Sequence, residues 1–311
     1  MLKRVISPGV ISAQIIADSI NVNTNRITTI KITYPRFVHA EMMTHRALSK
    51  NGQSSRAVPI ETTIENIEGN PAVPIHWGKN RSGMQADQEH NEDVIIGDVS
   101  MNRESAWIGS MDKAIVYARA MSDAGYHKQI VNRILEPYSM MTLIITATEY
   151  DNFFWLRRHE DAQPEIRELA DCVYDAMNAS EPVHLEPGEY HLPYIDKETQ
   201  WECIEYANEH QLDSTDVQLK VSASCCAQVS YRRLDRSVLK AMRIYDRLVA
   251  AEPMHASPFE HQARPIDLNA IDEESYWTHI DRDGNYWSGN LKGWIQHRHE
   301  LPGNTCTRYN A

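Results

Sequence analysis

Apolar and polar residues alternate along "ITTIKITY": Ile30, Ile32 and Tyr34 are separated by Lys31 and Thr33, and a period of two predicts a half-buried strand. Pro35 closes it, and the "RFVHAEMMTHRALSK" that follows reads as a helix stopped by Asn51-Gly52. Residues 62 to 105 are polar, rich in Gly and Asn and weakly periodic, which predicts a long functional loop or insertion. Helices are expected around 105 to 123 and 126 to 135, the second closed by Glu136-Pro137. The short apolar run "MMTLIITAT" suits a strand and a buried helix segment equally. In "DAQPEIRELADCVYDAMN", Ile166, Leu169, Ala170, Val173 and Met177 share one helical face, with Pro164 in the first turn. Residues 182 to 196 are punctuated by proline, as a linker or an irregular crossover would be. A helix-rich half follows, with Val238, Met242, Tyr245 and Val249 as a stripe, and "DRDGNYW" carries an Asp-Gly hairpin turn. The pattern is that of an α+β protein without internal repeats.

Composition narrows the classes. With 311 residues, 42% hydrophobic and 24% charged, the chain can bury a sizeable core without staples. No stretch approaches the roughly 20 apolar residues of a membrane span. The N-terminal "MLKRVISPGVISAQIIADSI" lacks a long apolar region and a small-residue cleavage site, so no signal peptide is expected. Five cysteines, odd in number and without a C-x-x-C pair, fit a reducing compartment, and a cytoplasmic location is expected. A net charge of −12 argues against sequence-independent nucleic-acid binding. It leaves room for a small anion, because a local arginine cluster can hold a phosphate inside an acidic protein.

Such a cluster lies in "MMTHRALSKNGQSSRAVP", residues 42 to 59. Each residue has an ordinary explanation: His45 and Arg46 suit a helix C-terminus, Ser49 and Asn51 a turn, Ser54 and Arg56 a polar surface. Together their hydroxyls, amide and guanidinium groups form a cradle for a phosphate ester. Further along, "HASPFEH" sets Glu260 between His255 and His261. The spacing is not that of H-E-x-x-H and Pro258 opposes a helix, so no metal is expected. No G-x-G-x-x-G after a strand, Walker loop or G-x-S-x-G elbow is present. The terminal "WIQHRHELPGN" reads as an exposed basic tail.

The spacing H-R-x-x-S-x-N-x-x-S-x-R resembles the signature of the flavin-dependent thymidylate synthases, with His45, Arg46, Ser49, Asn51, Ser54 and Arg56 in register. "NRILEP" with Arg133, "NFFWLRRHEDAQPEI" with Asn152 and Arg157, "CAQVSYRR" with Ser230, and "HASPFEH" with His255, Ser257 and Glu260 resemble further blocks of that family. Thr44, Gly52, Ala57, Asp161 and Gln228 depart from its pattern. The block order departs too. The family places A-R-V-S and H-x-S-P-F-E-H upstream of the strand and R-H-R, whereas here they follow it, so the resemblance implies a circular permutation over blocks 27–59, 126–167 and 224–262.

The resemblance implies a single domain over 1–311 with that family's α+β fold, a mixed or antiparallel sheet with helices in permuted order. It implies reductive methylation of dUMP to dTMP, with FAD as cofactor and NADPH and methylene-tetrahydrofolate as co-substrates. No metal, nucleic acid or membrane is expected to take part, and the resemblance implies a homotetramer with shared active sites. The implied roles are catalysis by Arg157, nucleotide binding by Glu41, Ser54, Arg56, Arg133 and Arg157, and flavin contact by His45, Arg46, Ser49, Asn51, Asn152, Ser230, His255, Ser257 and Glu260. The departures at Thr44, Gly52 and Asp161 keep two alternatives open: 5-hydroxymethylation of dUMP or dCMP without reduction, and a non-catalytic nucleotide- or flavin-binding protein.

Overall fold

The computed structural model describes residues 9–83, 85–230, 234–271, 276–306 and 308, with the backbone only at Ser230. In chain order the first elements are β1 (Ser12–Asn21), β2 (Arg26–Pro35), α1 (His39–Met43), β3 (Ser49–Gly52) and α2 (Ile60–Gly69). Next come β4 (Val94–Ile96), β5 (Val99–Met101), α3 (Arg103–Asp123), α4 (Lys128–Leu135) and β6 (Met140–Ala147). Then follow α5 (Asp151–Arg157), α6 (Pro164–Asn178), β7 (Val183–Leu185), α7 (Lys197–His210), α8 (Ser214–Ala227) and α9 (Val238–Val249). The chain ends in β8 (Ala263–Pro265), β9 (His279–Ile280), β10 (Tyr286–Ser288), β11 (Leu291–Lys292), β12 (Trp294–Gln296) and α10 (His297–Glu300).

The central sheet has the order β3-β6-β2-β1-β7, antiparallel except for the parallel β1–β7 pair. The alternation in β2 is what builds its two faces. Ile30, Ile32 and Tyr34 pack with Leu143 and Ile145 of β6 and with Leu169 and Val173 of α6 in one fully buried layer. The opposite face is polar and is closed by the C-terminal half through hydrogen bonds. Thr29 of β2 and Thr146 of β6 are 2.7 Å apart; His191 Nε2 meets Thr29 at 2.8 Å and His261 Nδ1 meets Thr146 at 2.8 Å. Ser19 of β1 completes the seam with His191 Nδ1 at 2.9 Å.

A second polar contact anchors the edge of β1. Asp18, 8% exposed, accepts from Arg26 Nε at 2.8 Å and from Thr28 at 3.1 Å, while Arg26 also donates to the Met177 carbonyl. Removing one partner of such a pair strands the other charge. Asp18→Ala is expected to cost about 2–3 kcal/mol in urea denaturation, moderated by the partial exposure of Arg26.

Three expectations are corrected. The helix through "RFVHAEMMTHRALSK" ends at Met43, and Ser49–Gly52 is an edge strand paired with β6. Thr44 and His45 close the helix with tight turns onto the Glu41 and Met42 carbonyls, and cross-strand pairing then captures the next residues. The 62–105 stretch is not all loop, since α2 runs to Gly69 with Ile64 and Ile67 in a second core with α3 and α4. The terminal "WIQHRHE" is no exposed tail: Trp294 and Ile295 are fully buried, and β12 pairs with β8. "MMTLIITAT" resolves as strand β6, because both of its faces find partners. Among the described residues no helix is long and apolar enough to cross a membrane.

Candidate active site

Ser54, Arg56 and Arg133 meet at one cavity of about 310 Å³, between the end of β3 and α4. Arg36, His39 and Lys50 line it too, none of them singled out by the sequence. Their signal was available only as cations flanking strand ends. Glu136 partly balances the charge, holding Arg36 at 2.9 Å and Arg133 at 3.0 Å. The cavity is still strongly cationic in a chain of net charge −12. Burial lowers the Lys50 pKa, while nearby Glu260 pulls it back up. Lys50 Nζ donates to the carbonyls of His45 and Leu48, so its charge is fixed in place. Gly52 also lines this cavity, and a Cβ there would sit 2.4 Å from Leu143 Cδ2. The missing side chain is therefore a matter of close approach between β3 and β6.

Arg157, at the last turn of α5, reaches back to α1. Its Nε donates to His45 Nε2 at 2.8 Å, and its Nη2 to Thr44 Oγ1 at 3.1 Å and the Glu41 carbonyl at 3.4 Å. Nη1 takes no part in these bonds. His45 must be neutral with its proton on Nδ1 to accept at Nε2. Its pKa is lowered to about 4, first by burial and then by the Arg157 and Lys50 charges. The ring packs edge-on against Phe153 with centroids 5.0 Å apart. Beside it, Glu41 Oε2 is buried without a partner among the described residues. Arg158 plays no part here: it pairs with Asp171 at 2.6 Å and lies 3.8 Å over the Tyr174 ring.

The residues that the resemblance gives to a flavin separate into two sets. Asn51 Nδ2 donates to the Cys226 carbonyl at 2.6 Å and its Oδ1 accepts from Ser257 at 3.2 Å. Ser49 donates to Asn290 at 3.1 Å, and Gln296 Nε2 lies 3.2 Å from both Ser49 Oγ and the Glu260 carbonyl. The Glu260 carboxylate pairs with Arg298. Ser49, Asn51, Ser257 and Glu260 thus fasten the C-terminal segments to the edge strand, and their polar atoms are engaged inside the chain. Gln296, Asn290 and Arg298 carried no sequence signal for this task. Arg46, Asn152 and His255 are instead exposed, with no side-chain hydrogen bond among the described residues. These three suit an external polar group such as a cofactor phosphate or amide. The side chain of Ser230, like residues 231–233, lies outside the described residues. His261, the other end of a conceivable metal pair, is fully buried and bonded to Thr146. Among the described residues no cluster of three or more metal-ligating side chains exists.

A family model described as "Thymidylate synthase complementing protein" matches residues 26–183, just over half of the chain. That span holds the cationic cavity and the Arg157–His45 pair but stops short of the Ser257–Glu260 segment. No curated protein matches the sequence. Among solved structures, the chain is similar to a UMP/dUMP methylase, PolB, from Streptomyces cacaoi bound with 5-Br dUMP. The identity there is 16% and the TM-score 0.41, over 56% of this chain and 92% of that one. It is also similar to ThyX from Helicobacter pylori with FAD and dUMP, at 20% identity and a TM-score of 0.33, over 49% of this chain and 67% of that one.

Proposed function

Because the chain belongs to the thymidylate synthase complementing protein family, we propose that it methylates a pyrimidine deoxynucleotide at the 5-position, converting dUMP to dTMP. Methylene-tetrahydrofolate is the carbon donor in this reading, and FAD and NADPH are the redox partners. The observation that carries it is the cavity shared by Ser54, Arg56 and Arg133 with Lys50 and Arg36, a cationic pocket of the size and polarity for a nucleotide phosphate.

Within this reading Arg56, Arg133 and Ser54 hold the phosphate, and Arg133 exchanges Glu136 for the stronger dianion. Arg157 stabilises the negative charge that develops on the uracil ring, its unused Nη1 being the donor and His45 and Thr44 fixing its plane. Glu41 Oε2 supplies a buried acceptor nearby. Arg46, Asn152 and His255 hold the flavin, which when bound supplies the hydride. Ser49, Asn51, Ser257 and Glu260 position that set instead of touching the cofactor. We further read the chain as circularly permuted, a reading supported by the Ser257–Asn51 bond that joins segments 206 residues apart.

The test is product mass. Purified protein is incubated with FAD, dUMP, methylene-tetrahydrofolate and NADPH, and the nucleotide is weighed. Thymidylate is expected. A product heavier by one oxygen overturns the reductive step in favour of 5-hydroxymethylation, and unchanged dUMP and dCMP overturn catalysis in favour of binding alone. Arg56→Ala is expected to weaken dUMP binding about tenfold or more, read by calorimetry, as loss of a charge-assisted phosphate contact worth about 1.5–3 kcal/mol.

A further inference from the structure

Tyr34 puts a polar atom near the end of the buried face of β2, and that atom needs a partner. Burial raises the Tyr34 pKa, so the hydroxyl keeps its proton. Its partner is His39, the first residue of α1, whose Nδ1 lies 2.8 Å from the hydroxyl oxygen. The two rings are stacked with 25° between their planes. The bond holds the imidazole at one end only. Nε2 makes no hydrogen bond among the described residues, and the ring lines the cationic cavity beside Ser54, Arg56 and Arg133. A neutral imidazole that accepts from Tyr34 at Nδ1 carries its hydrogen on Nε2, and a charged one carries a hydrogen there too. His39 is therefore a donor at the cavity wall in both states.

The groups around it decide which state is present. Arg36 comes from the turn before α1, Lys50 from β3, Arg56 from the loop after β3 and Arg133 from α4. Glu136 bridges two of these cations, Arg36 and Arg133. Met43 of α1 and Met141 and Leu143 of β6 add apolar wall without charge. Burial lowers the His39 pKa most, followed by the Arg36 charge; Glu136 raises it, and Lys50 lowers it again. The imidazole of the empty cavity is thus held neutral near pH 7 by its own cationic neighbours. A bound anion reverses that balance, since an opposite charge within about 4–6 Å favours the charged form by about 1–3 pH units.

We propose that His39 is a ligand-binding residue of this cavity, donating from Nε2 to a terminal phosphate and taking up a proton from solvent as the dianion binds. No bond of the ligand changes; an imidazole becomes an imidazolium. The inference rests on the reading of this cavity as the nucleotide-phosphate site. It adds a selectivity to that reading. A phosphate monoester carries about −1.5 to −2 charge at pH 7, with its second pKa near 6, whereas a diester carries a single charge. The proton follows the second charge, so His39 favours a free mononucleotide over a nucleotide whose phosphate is esterified again.

The experiment is calorimetry on the full chain at pH 7.0 in two buffers of different ionisation enthalpy, which counts the protons exchanged on binding. Wild type is expected to take up about half a proton or more with dUMP, and its affinity to rise about threefold per pH unit as the pH falls from 8 to 7. His39→Gln keeps an amide donor but cannot titrate. It is expected to take up no proton, to lose the pH dependence and to bind dUMP about three- to tenfold more weakly, with the fold unchanged by circular dichroism. The 5′-methyl phosphodiester of deoxyuridine is expected to bind wild type about tenfold or more weakly than dUMP without proton uptake, and His39→Gln is expected to narrow that gap. Sulfate, a dianion with no proton to lose in this range, is titrated in parallel. Proton uptake with sulfate and no binding of dUMP keeps the role of His39 and overturns the nucleotide reading. Binding of dUMP without uptake, or with uptake unchanged in His39→Gln, overturns the role of His39 and leaves the nucleotide reading standing. Binding of neither anion overturns both, and a gap between monoester and diester that is equal in the two proteins overturns the selectivity.

Discussion

Arg157→Ala is expected to lower kcat for dUMP turnover about 10²–10³-fold, roughly 3–4 kcal/mol of lost transition-state stabilisation, as when one preorganised donor to a developing anion is removed. The expectation rests on how the guanidinium is held. Two of its nitrogens are committed to His45, Thr44 and the Glu41 carbonyl, and the third, which takes no part in these bonds, is the proposed donor to substrate. A neutral His45 lets the full positive charge stay on Arg157, since a protonated imidazole at 2.8 Å would repel it and could not accept the bond. Arg157→Lys keeps the charge but loses both the planar fork and the Nε–H, so it is expected to recover only part of the rate. Arg158→Ala is the control. Its side chain is occupied by Asp171 and Tyr174, and turnover within about twofold of wild type is expected, the ordinary range for an exposed pair. Near-native kcat in Arg157→Ala, with the fold intact by circular dichroism, refutes the assignment.

What could be read from the sequence was whatever depends on local pattern. The alternation at Ile30, Ile32 and Tyr34 became β2, and the face of Ile166, Leu169 and Val173 became the buried side of α6, because burial and periodicity agree there. Ser49–Gly52 was misread because nothing within the segment marks it as a strand; its hydrogen bonds go to β6, nearly a hundred residues later. The same kind of contact hid the role of Gln296, whose amide binds Ser49 across 247 positions. In the candidate site, Ser54, Arg56 and Arg133 were legible as residue types at a spacing, and the fold brings them to one cavity. Lys50, Arg36 and His39 were not, since a cation beside a strand end looks like any solvated charge until the walls around it are known. Ser49, Asn51 and Glu260 matched a pattern of ligand contact, yet their polar atoms are engaged within the chain itself. Residue type and spacing alone do not separate a group that touches a ligand from one that holds its neighbour in place.

The polar seam across the sheet carries the second large effect, a steep loss of stability in acid. His191 and His261 are 1% and 0% exposed, and burial lowers each pKa to about 3. Both lie below the value near 6.5 that each histidine regains on unfolding. The unfolded chain therefore binds more protons below pH 6.5, so the stability contribution is complete above that pH and is lost as the pH falls toward 3. At pH 4.5 the two together are expected to remove about 5 kcal/mol, comparable with the whole stability of many domains. Below pH 6.5, urea denaturation down to pH 4.5 reads this as nearly two protons of slope, about 1.4 kcal/mol per pH unit for each histidine, on top of the proton that His45 adds in the same range. His261→Asn offers the test of origin, because an amide can keep the bond that Nδ1 makes to Thr146 while removing the titrating group. It is expected to lower the slope by about one proton and to destabilise the protein less at pH 4.5 than at pH 7.5. Stability that stays flat between pH 7.5 and 4.5, or a slope untouched by His261→Asn, would show that the imidazoles are protonated in the folded chain and that the seam does not carry the sheet.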